Sequence, residues 1–395
     1  MNSTAEGKSV IGVSKIIPRH VAEFWTSRQR QASSIHEISY RACFKPQLPR
    51  YFIERFSAEG DVVYDPFMGR GTTLIEAALM SRNVVGNDVN PLSRILTEPR
   101  LNIPTLEEVE GGLSKIAMSK NLKADIDLSM FFHPDTESEI VSLQKYLAKR
   151  KEEKKEDRID RWIRMVATNR LTGHSSGFFS VYTLPPNQAA SPENQKRINA
   201  TRKQEPAYRF VKEIILKKTR TLLKRIGEDE RAVVNAAGTS ARFLTADATK
   251  TPAIHSESVQ LTVTSPPFLN IVQYSQDNWL RGWFNMIDPE AVRITLARTV
   301  EKWNGVMSGV FQELYRITRG GGYVAFEVGE VRNGSVKLDE HIIPIGLAAG
   351  FHCEGLYINT QKFTKTANIW GIHNNTLGTN TNRIVLFRKY HEGNS

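Results

Sequence analysis

Thr264-Ser265-Pro266-Pro267-Phe268 closes a short apolar run, 259–264, that reads as a strand. Two prolines directly after a strand fix the backbone and remove two N–H donors, so carbonyl oxygens are left facing outward as acceptors. An exocyclic amine needs such acceptors, which orient its protons and draw electron density toward nitrogen. Phe268 offers a flat apolar face for a ring to stack on. A rigid strand exit with a core Phe would use the same residues.

A second constellation lies upstream. Asp65-Pro66-Phe67-Met68-Gly69-Arg70-Gly71-Thr72-Thr73 is a glycine-rich turn after the apolar run 62–64. Gly69 and Gly71 let the backbone turn tightly and approach a ligand. The Gly-Lys-Ser/Thr ending of a phosphate loop is absent, and Leu74 stands where a dinucleotide fingerprint needs its third glycine. Asp88 ends the next apolar run, seventeen residues after Gly71, where an acid can accept both hydroxyls of a ribose. Asp247 ends another and could accept the exocyclic amine of an adenine. Three acids at strand ends and one glycine loop describe an adenosine site without a pyrophosphate, although each acid alone would equally cap a turn.

These residues need a scaffold that brings strand ends to one edge. Residues 62–88 read as strand, loop, helix and strand, the opening of a doubly wound α/β sheet. The pattern resumes with strands ending at Asp247 and Thr264, a helix at 311–317, a turn at Gly320-Gly321-Gly322, a strand at 323–328, a helix at 343–349 and a closing strand at 382–388. Between the halves, 105–225 is mostly helical, with irregular stretches at 172–177 and 184–192. The first thirty or so residues look only loosely structured. The expected organisation is an extension at 1–35, a catalytic domain at 36–104 and 236–395, and a helical insertion at 105–235.

The chain has 395 residues, 53 Lys and Arg against 42 Asp and Glu, and an isoelectric point near 9.5. That surplus favours a polyanionic partner. Eleven basic residues against two acids fall between 196 and 225, which locates most of the surplus. Arg209, Lys217, Lys218 and Arg220 are the candidate phosphate contacts there, and Arg281 is another; a plain solvated helix face is the alternative. Trp279 and Trp283 read as core. With two cysteines, Cys43 and Cys353, a disulfide scaffold is excluded, and nine histidines without ligand spacing give no metal site. No long apolar run marks a signal peptide or a membrane span, so a cytoplasmic protein is expected.

The glycine loop resembles the cofactor loop of amino-group DNA methyltransferases, and the Ser265-Pro266-Pro267-Phe268 loop resembles their catalytic motif in its cytosine-N4 form. His36, Tyr40, Phe44, Lys45, Pro46 and Phe52 are similar to the segment that precedes the glycine loop in that family. Asn87-Asp88-Val89-Asn90-Pro91 is similar to its ribose-binding strand end. The resemblance covers roughly residues 36–100 and 240–390. It implies a Rossmann-like α/β fold with a mostly parallel sheet, S-adenosylmethionine as cofactor and double-stranded DNA as partner. It places Phe44, Lys45, Asp65, Pro66, Phe67, Gly69, Gly71, Thr72, Asp88 and Asp247 around the cofactor. It gives Ser265, Pro266, Pro267 and Phe268 the target amine of a flipped base, and the insertion target recognition. Such an enzyme often works beside a separate restriction endonuclease. Tyr is more frequent in the family than Phe268, and a smaller residue than Arg70 commonly separates the glycines. Neither cysteine follows a proline, as carbon-5 methylation would require. Adenine-N6 methylation, RNA methylation and a silent DNA-binding adaptor stay open as alternatives.

Overall fold

A computed structural model describes residues 17–24, 32–41, 43–185, 188–267, 274–288, 292, 297, 299–331, 336–360 and 381–391. Phe268 lies outside the described residues, as does all but the last residue of the polar loop at 362–381, with Trp370 and His373, which is expected to close over the flipped base or the groove.

The first half runs β1 (Arg19–Ala22), α1 (Gln47–Phe56), β2 (Val62–Asp65), α2 (Thr72–Leu79), β3 (Asn83–Asn87) and α3 (Pro91–Thr97). Six helices follow: α4 (Leu106–Ser114), α5 (Pro134–Glu152), α6 (Arg158–Arg170), α7 (Pro192–Arg202), α8 (Val211–Leu223) and α9 (Glu228–Ser240). The second half is β4 (Arg242–Leu244), β5 (Val259–Thr264), α10 (Tyr274–Asp277), α11 (Trp279–Phe284), α12 (Val300–Ile317), β6 (Thr318–Val328), the small hairpin β7 (Glu330–Val331) and β8 (Val336–Lys337), α13 (Leu338–Ala348), β9 (His352–Thr360) and β10 (Thr381–Arg388).

One sheet organises the chain, in the order β1-β9-β10-β6-β5-β2-β3-β4. Within it β10 runs against both neighbours and the other pairings are parallel. Strand alternation divides the apolar side chains between two faces. Val63, Val84, Leu261, Val263, Ala325, Ile384 and Leu386 pack with α1 and α2 on one face. Tyr64, Val85, Val324, Phe326, Val385 and Phe387 pack with α12 and α13 on the other. This is the mostly parallel, doubly wound sheet that the strand and helix order implied.

Three expectations change. The N-terminal extension is not wholly loose: Arg19–Ala22 pairs with Leu356–Asn359 and extends the sheet edge. The Gly320-Gly321-Gly322 turn lies inside β6, with only Gly321 in the left-handed region at φ +78°. The basic run at 196–225 is not one helix; α7 ends at Lys203, itself left-handed at φ +50°, and α8 starts afresh at Val211.

The insertion builds its helices on clear signals. Thr105 and Glu108 form a reciprocal cap on α4, and Asp157 and Asp160 do the same on α6. His133 and Ser191 cap α5 and α7, each followed by proline at the first helical position. Its buried Phe131, Trp162, Met165 and Phe179 are continuous with the α1–α2 face of the sheet. The expected boundary at 235 falls within α9, whose Val234 and Ala237 belong to that same apolar cluster and which packs on α2 and β3.

Candidate active site

Sheet order reverses between β5 and β2, and such a reversal opens a crevice at the carboxyl ends of the strands. Both sequence constellations meet there. Thr264 Oγ1 at the end of β5 donates to Asp65 Oδ1 at the end of β2, at 2.6 Å. Thr73 Oγ1, one residue into α2, donates to the Val263 carbonyl at 3.0 Å. The glycine loop and the Ser265 loop are therefore locked side by side.

The glycine loop is shaped by left-handed backbone at both glycines and, at Gly71, by a contact that leaves no room for a side chain. Gly71 has φ +74°, and a Cβ there would lie 2.2 Å from Thr97 Cγ2. Gly69 has φ +48° and faces the Tyr40 ring. Arg70, unusual between two glycines, turns away from the loop and donates to the Ile38 carbonyl at 2.8 Å. Arg100, fully buried, donates to the carbonyls of Leu96, Ile35 and Arg70. Two guanidiniums thus tie the 35–38 segment to the loop, which explains why a large residue is tolerated at position 70. The His36 imidazole, also buried, meets Glu76 of α2 at 2.6 Å, and burial pushes its pKa down.

Asp65 is buried, and its Oδ1 also accepts from the Phe67 N–H. Burial raises its pKa to about 7, against the hydrogen bond from Thr264 that lowers it. Asp65 locks the loop from beneath. Asp88 is half-buried and stands at the loop's rim, where Oδ2 accepts from the Gly69 N–H at 3.0 Å and Oδ1 from the Asn90 N–H at 2.9 Å. A carboxylate has about four acceptor positions, so two further hydroxyls can be held. Burial raises its pKa as well.

Asp247 is exposed on the neighbouring loop, where its Oδ1 accepts from the Thr249 N–H and hydroxyl, both at 2.8 Å. Asn87 links the two acids' loops: its amide donates to the Pro66 and Ala246 carbonyls, and its Oδ1 accepts from the Ala246 N–H. Asn87, named above only as part of the ribose-binding strand end, thus has a role of its own, and its signal is an amide at the end of a buried strand. Beside these loops lies a cavity of about 590 Å³, lined by Val89, Pro91, Ile95, Thr245, Met286 and Ile287 among others.

Phe44 and Lys45 lead into α1 and are half-buried. Burial pushes the Lys45 ammonium pKa down. Pro66 and Phe67 belong to the loop floor, and Thr72 opens α2 with its hydroxyl accepting from Arg70 Nε at 3.3 Å.

After β5, Ser265 and Pro267 are half-buried and Pro266 is buried. Trp303 Nε1 donates to the Pro267 carbonyl at 3.1 Å. The Ser265 hydroxyl bonds Glu327, a buried carboxylate on β6 that Asn382 of β10 also bonds. Burial raises the Glu327 pKa. This residue was passed over, although a lone acid within the apolar run 323–328 was its signal.

The basic candidates separate. Lys217 and Arg220 are exposed on α8, and Lys218 is half-buried, its pKa lowered by burial to about 8. Arg209 donates to the carbonyls of Ser175 and Phe178 at 3.1 and 3.2 Å, and so braces the insertion itself. Arg281 is a correction: it is only 6% exposed and donates to Asn278 Oδ1 and the Ser39 carbonyl, so it holds the rim together beneath the surface. Cys43 and Cys353 are half-buried, their thiol pKa values raised by burial. Trp279 and Trp283 pack against the core as expected. Among the described residues no helix is long and apolar enough to cross a membrane.

Residues 5–93 match the DNA methylase family model for the N6 and N4 class. Type II methyltransferase M.MjaII of Methanocaldococcus jannaschii is 38% identical over 76 residues, 19% of this chain and 14% of that protein. Type II methyltransferase M.BsoBI of Geobacillus stearothermophilus is 38% identical over 87 residues, 21% of this chain and 17% of that protein. The matched stretches therefore span about a sixth of these relatives' lengths. A solved SAM-dependent methyltransferase from Methanosarcina mazei aligns over 86% of this chain and 98% of its own, at 10% identity and a TM-score of 0.34. The sequence matches fall on the glycine-loop half of the crevice, and in that half the chain is similar to amino-group DNA methyltransferases.

Proposed function

We propose that the protein transfers a methyl group from S-adenosylmethionine to the exocyclic N4 amine of cytosine in double-stranded DNA. The observation that carries this reading is the junction of the glycine loop with the Ser265-Pro266-Pro267 loop through Thr264–Asp65 and Thr73–Val263.

The residues present fit the cofactor. Asp88 retains acceptor positions for the ribose hydroxyls, and the cavity bordered by Val89, Ile95, Thr245 and Ile287 would seat the adenine; Asp247 lies on the loop that follows Thr245. Phe44, Lys45, Pro66, Phe67, Gly69, Gly71 and Thr72 surround the methionine end. When bound, S-adenosylmethionine supplies an electrophilic methyl group on a sulfonium sulfur.

The chain's own task is to hold the amine. A target base turned out of the duplex is reached by a pocket, not within the stack. Ser265 and the Pro266 carbonyl accept from its amine, while the Pro267 carbonyl is already occupied by Trp303. Phe268 stacks on the ring. The amine must lose a proton on methylation. Ser265 passes it toward Glu327, whose buried carboxylate has a raised proton affinity. Positioning and electrostatics supply the rate. The insertion at 105–235 provides target recognition, and any restriction endonuclease is a separate chain.

Adenine-N6 methylation is the second reading, because the same acceptors fit either amine; Ser265 favours cytosine. Incubation with methyl-labelled S-adenosylmethionine and mixed-sequence duplex DNA, followed by nucleoside mass spectrometry, separates them. N4-methylcytosine is expected. N6-methyladenine would overturn the base assignment, and label in RNA alone would overturn the substrate.

A further inference from the structure

The irregular stretch at 172–177 has no role in the mechanism above, yet it is among the most deliberately braced loops of the insertion. It leaves the C-terminal end of α6 and exposes His174, Ser175 and Ser176. Everything beneath that tip is fixed. The Arg209 guanidinium donates to two of the loop's carbonyls, at Ser175 and Phe178. The Arg170 guanidinium stacks 3.9 Å over the Phe178 ring. The Thr183 N–H donates to the Gly173 carbonyl, and the Phe179 N–H to that of Arg170. A Cβ at Gly173 would lie 2.4 Å from the Phe178 ring, so the loop closes tightly on its own anchor.

Its location is fixed as well. Asn169, at the root of the loop, exchanges two hydrogen bonds with the Ser39 backbone. Ser39 precedes Tyr40, the residue that faces Gly69. On the other flank, the Ala189 N–H donates to the Asp277 carbonyl and Trp279 Nε1 to that of Ala190. Arg41 joins both sides, bonding Asp277 at 2.7 Å and Gln188 at 3.3 Å. Residues 169–185 and 188–190 therefore form one wall beside the catalytic loops, tied to the cofactor segment and to the helices after the Ser265 loop.

The wall is cationic. Lys218 shares it with Arg170 and Glu37. Arg220, two residues on, points about 160° away at about 100° per residue. Lys218 thus lies on the side of α8 that faces the root of the loop at Arg170, and Arg220 on the other. Small hydroxyl and imidazole groups on a rigid tip, above buried cations, match the chemistry of a nucleic-acid groove. Such side chains meet base edges, and cations meet phosphates.

We propose that the 172–177 loop reads base edges beside the target base, with Lys218 on the adjoining phosphate and Arg209 as the positioning residue of the loop. This rests on the proposed DNA methylation and names the element that confers its sequence preference.

The test is methylation of a randomised duplex library by the full chain, with modified positions located by sequencing and S-adenosylmethionine affinity measured in parallel. For His174→Ala combined with Ser176→Ala, we expect at least about a tenfold loss of rate on the preferred site. Preference should relax at one or more positions, with cofactor affinity within about twofold of the wild type. Arg209→Ala should relax the same positions while the protein stays folded by circular dichroism. An unchanged preference in the double variant, at any rate, would overturn the inference while leaving DNA methylation intact. A wild-type protein that binds the cofactor but methylates RNA, or no nucleic acid, would overturn the proposed function and this inference with it.

Discussion

The glycine-loop half of the crevice and the basic stretch of the insertion carry chemistry in opposite ways. In residues 62–90 each functional residue is fixed by backbone geometry. Gly71 is pressed against Thr97, Asp65 lies beneath its own loop, and Asp88 bonds the Gly69 N–H. Residue type there reports position directly. In residues 196–225 the functional property is charge, and charge says nothing about which way a helix turns. Lys218 faces Arg170 at the root of the 172–177 loop, Arg220 lies on the opposite side of α8, and Arg209 braces that loop. A motif written in backbone constraints can be read without a structure, and a motif written in charge density cannot.

The largest effect should come from filling the glycine loop. Gly71→Ala places a side chain at φ +74° and against Thr97, and an incompatible backbone with a clash costs on the order of 3 kcal/mol. Urea denaturation should show that loss, together with loss of cofactor binding. Wild-type stability in this variant would break the claim that geometry, not composition, fixes this region.

Asp88→Asn comes next. It removes the charge but can keep one acceptor for the backbone donors. Charge-assisted hydrogen bonds contribute about 1.5–3 kcal/mol each, so S-adenosylmethionine affinity should fall by about a hundredfold, read by calorimetry.

Asp65 sharpens the comparison through pH. Its folded pKa is raised to about 7 by burial, above an unfolded value near 3.9. A raised carboxyl pKa means stability present below about pH 4 that is lost as pH rises toward about 7. The shift corresponds to about 4 kcal/mol, from about 1.4 kcal/mol per pKa unit. Asp65→Asn keeps an acceptor for Thr264 and Phe67 without the titration. The difference in unfolding free energy between the two proteins should therefore move in the variant's favour from pH 4 to pH 7. A constant difference would show that Asp65 is not a buried titrating group.

The smallest effect belongs to the helix faces. Lys218→Ala should reduce the slope of log affinity for DNA against log salt by about one, whereas Arg220→Ala should change it less. Equal effects would return α8 to a uniform basic surface.

The same contrast explains what was legible. The two loops, the acids at strand ends and most of the sheet followed from periodicity and turn chemistry. β1 did not, because four residues with two exposed side chains carry no alternation strong enough to mark a strand. The longer β6 was hidden by three glycines that read as a turn. Arg281 looked like a surface cation because its spacing from Trp279 and Trp283 fitted a helix; burial against Ser39 and Asn278 is a tertiary fact. Asn87 and Glu327 stand out locally as polar groups in buried strands, but their partners, the Ala246 backbone and Asn382 of β10, are distant in sequence and no local pattern names them.

The central claim is that two loops far apart in sequence make one site with separable halves. Single-turnover methyl transfer to duplex DNA by Ser265→Ala, at saturating S-adenosylmethionine and with cofactor affinity measured on the same preparation, tests it most directly. The account predicts affinity within about twofold of the wild type and transfer slowed by about a hundredfold, the scale of losing one group at the reacting centre. Transfer at the wild-type rate would contradict it, because the Ser265 loop would then have no part in the reaction.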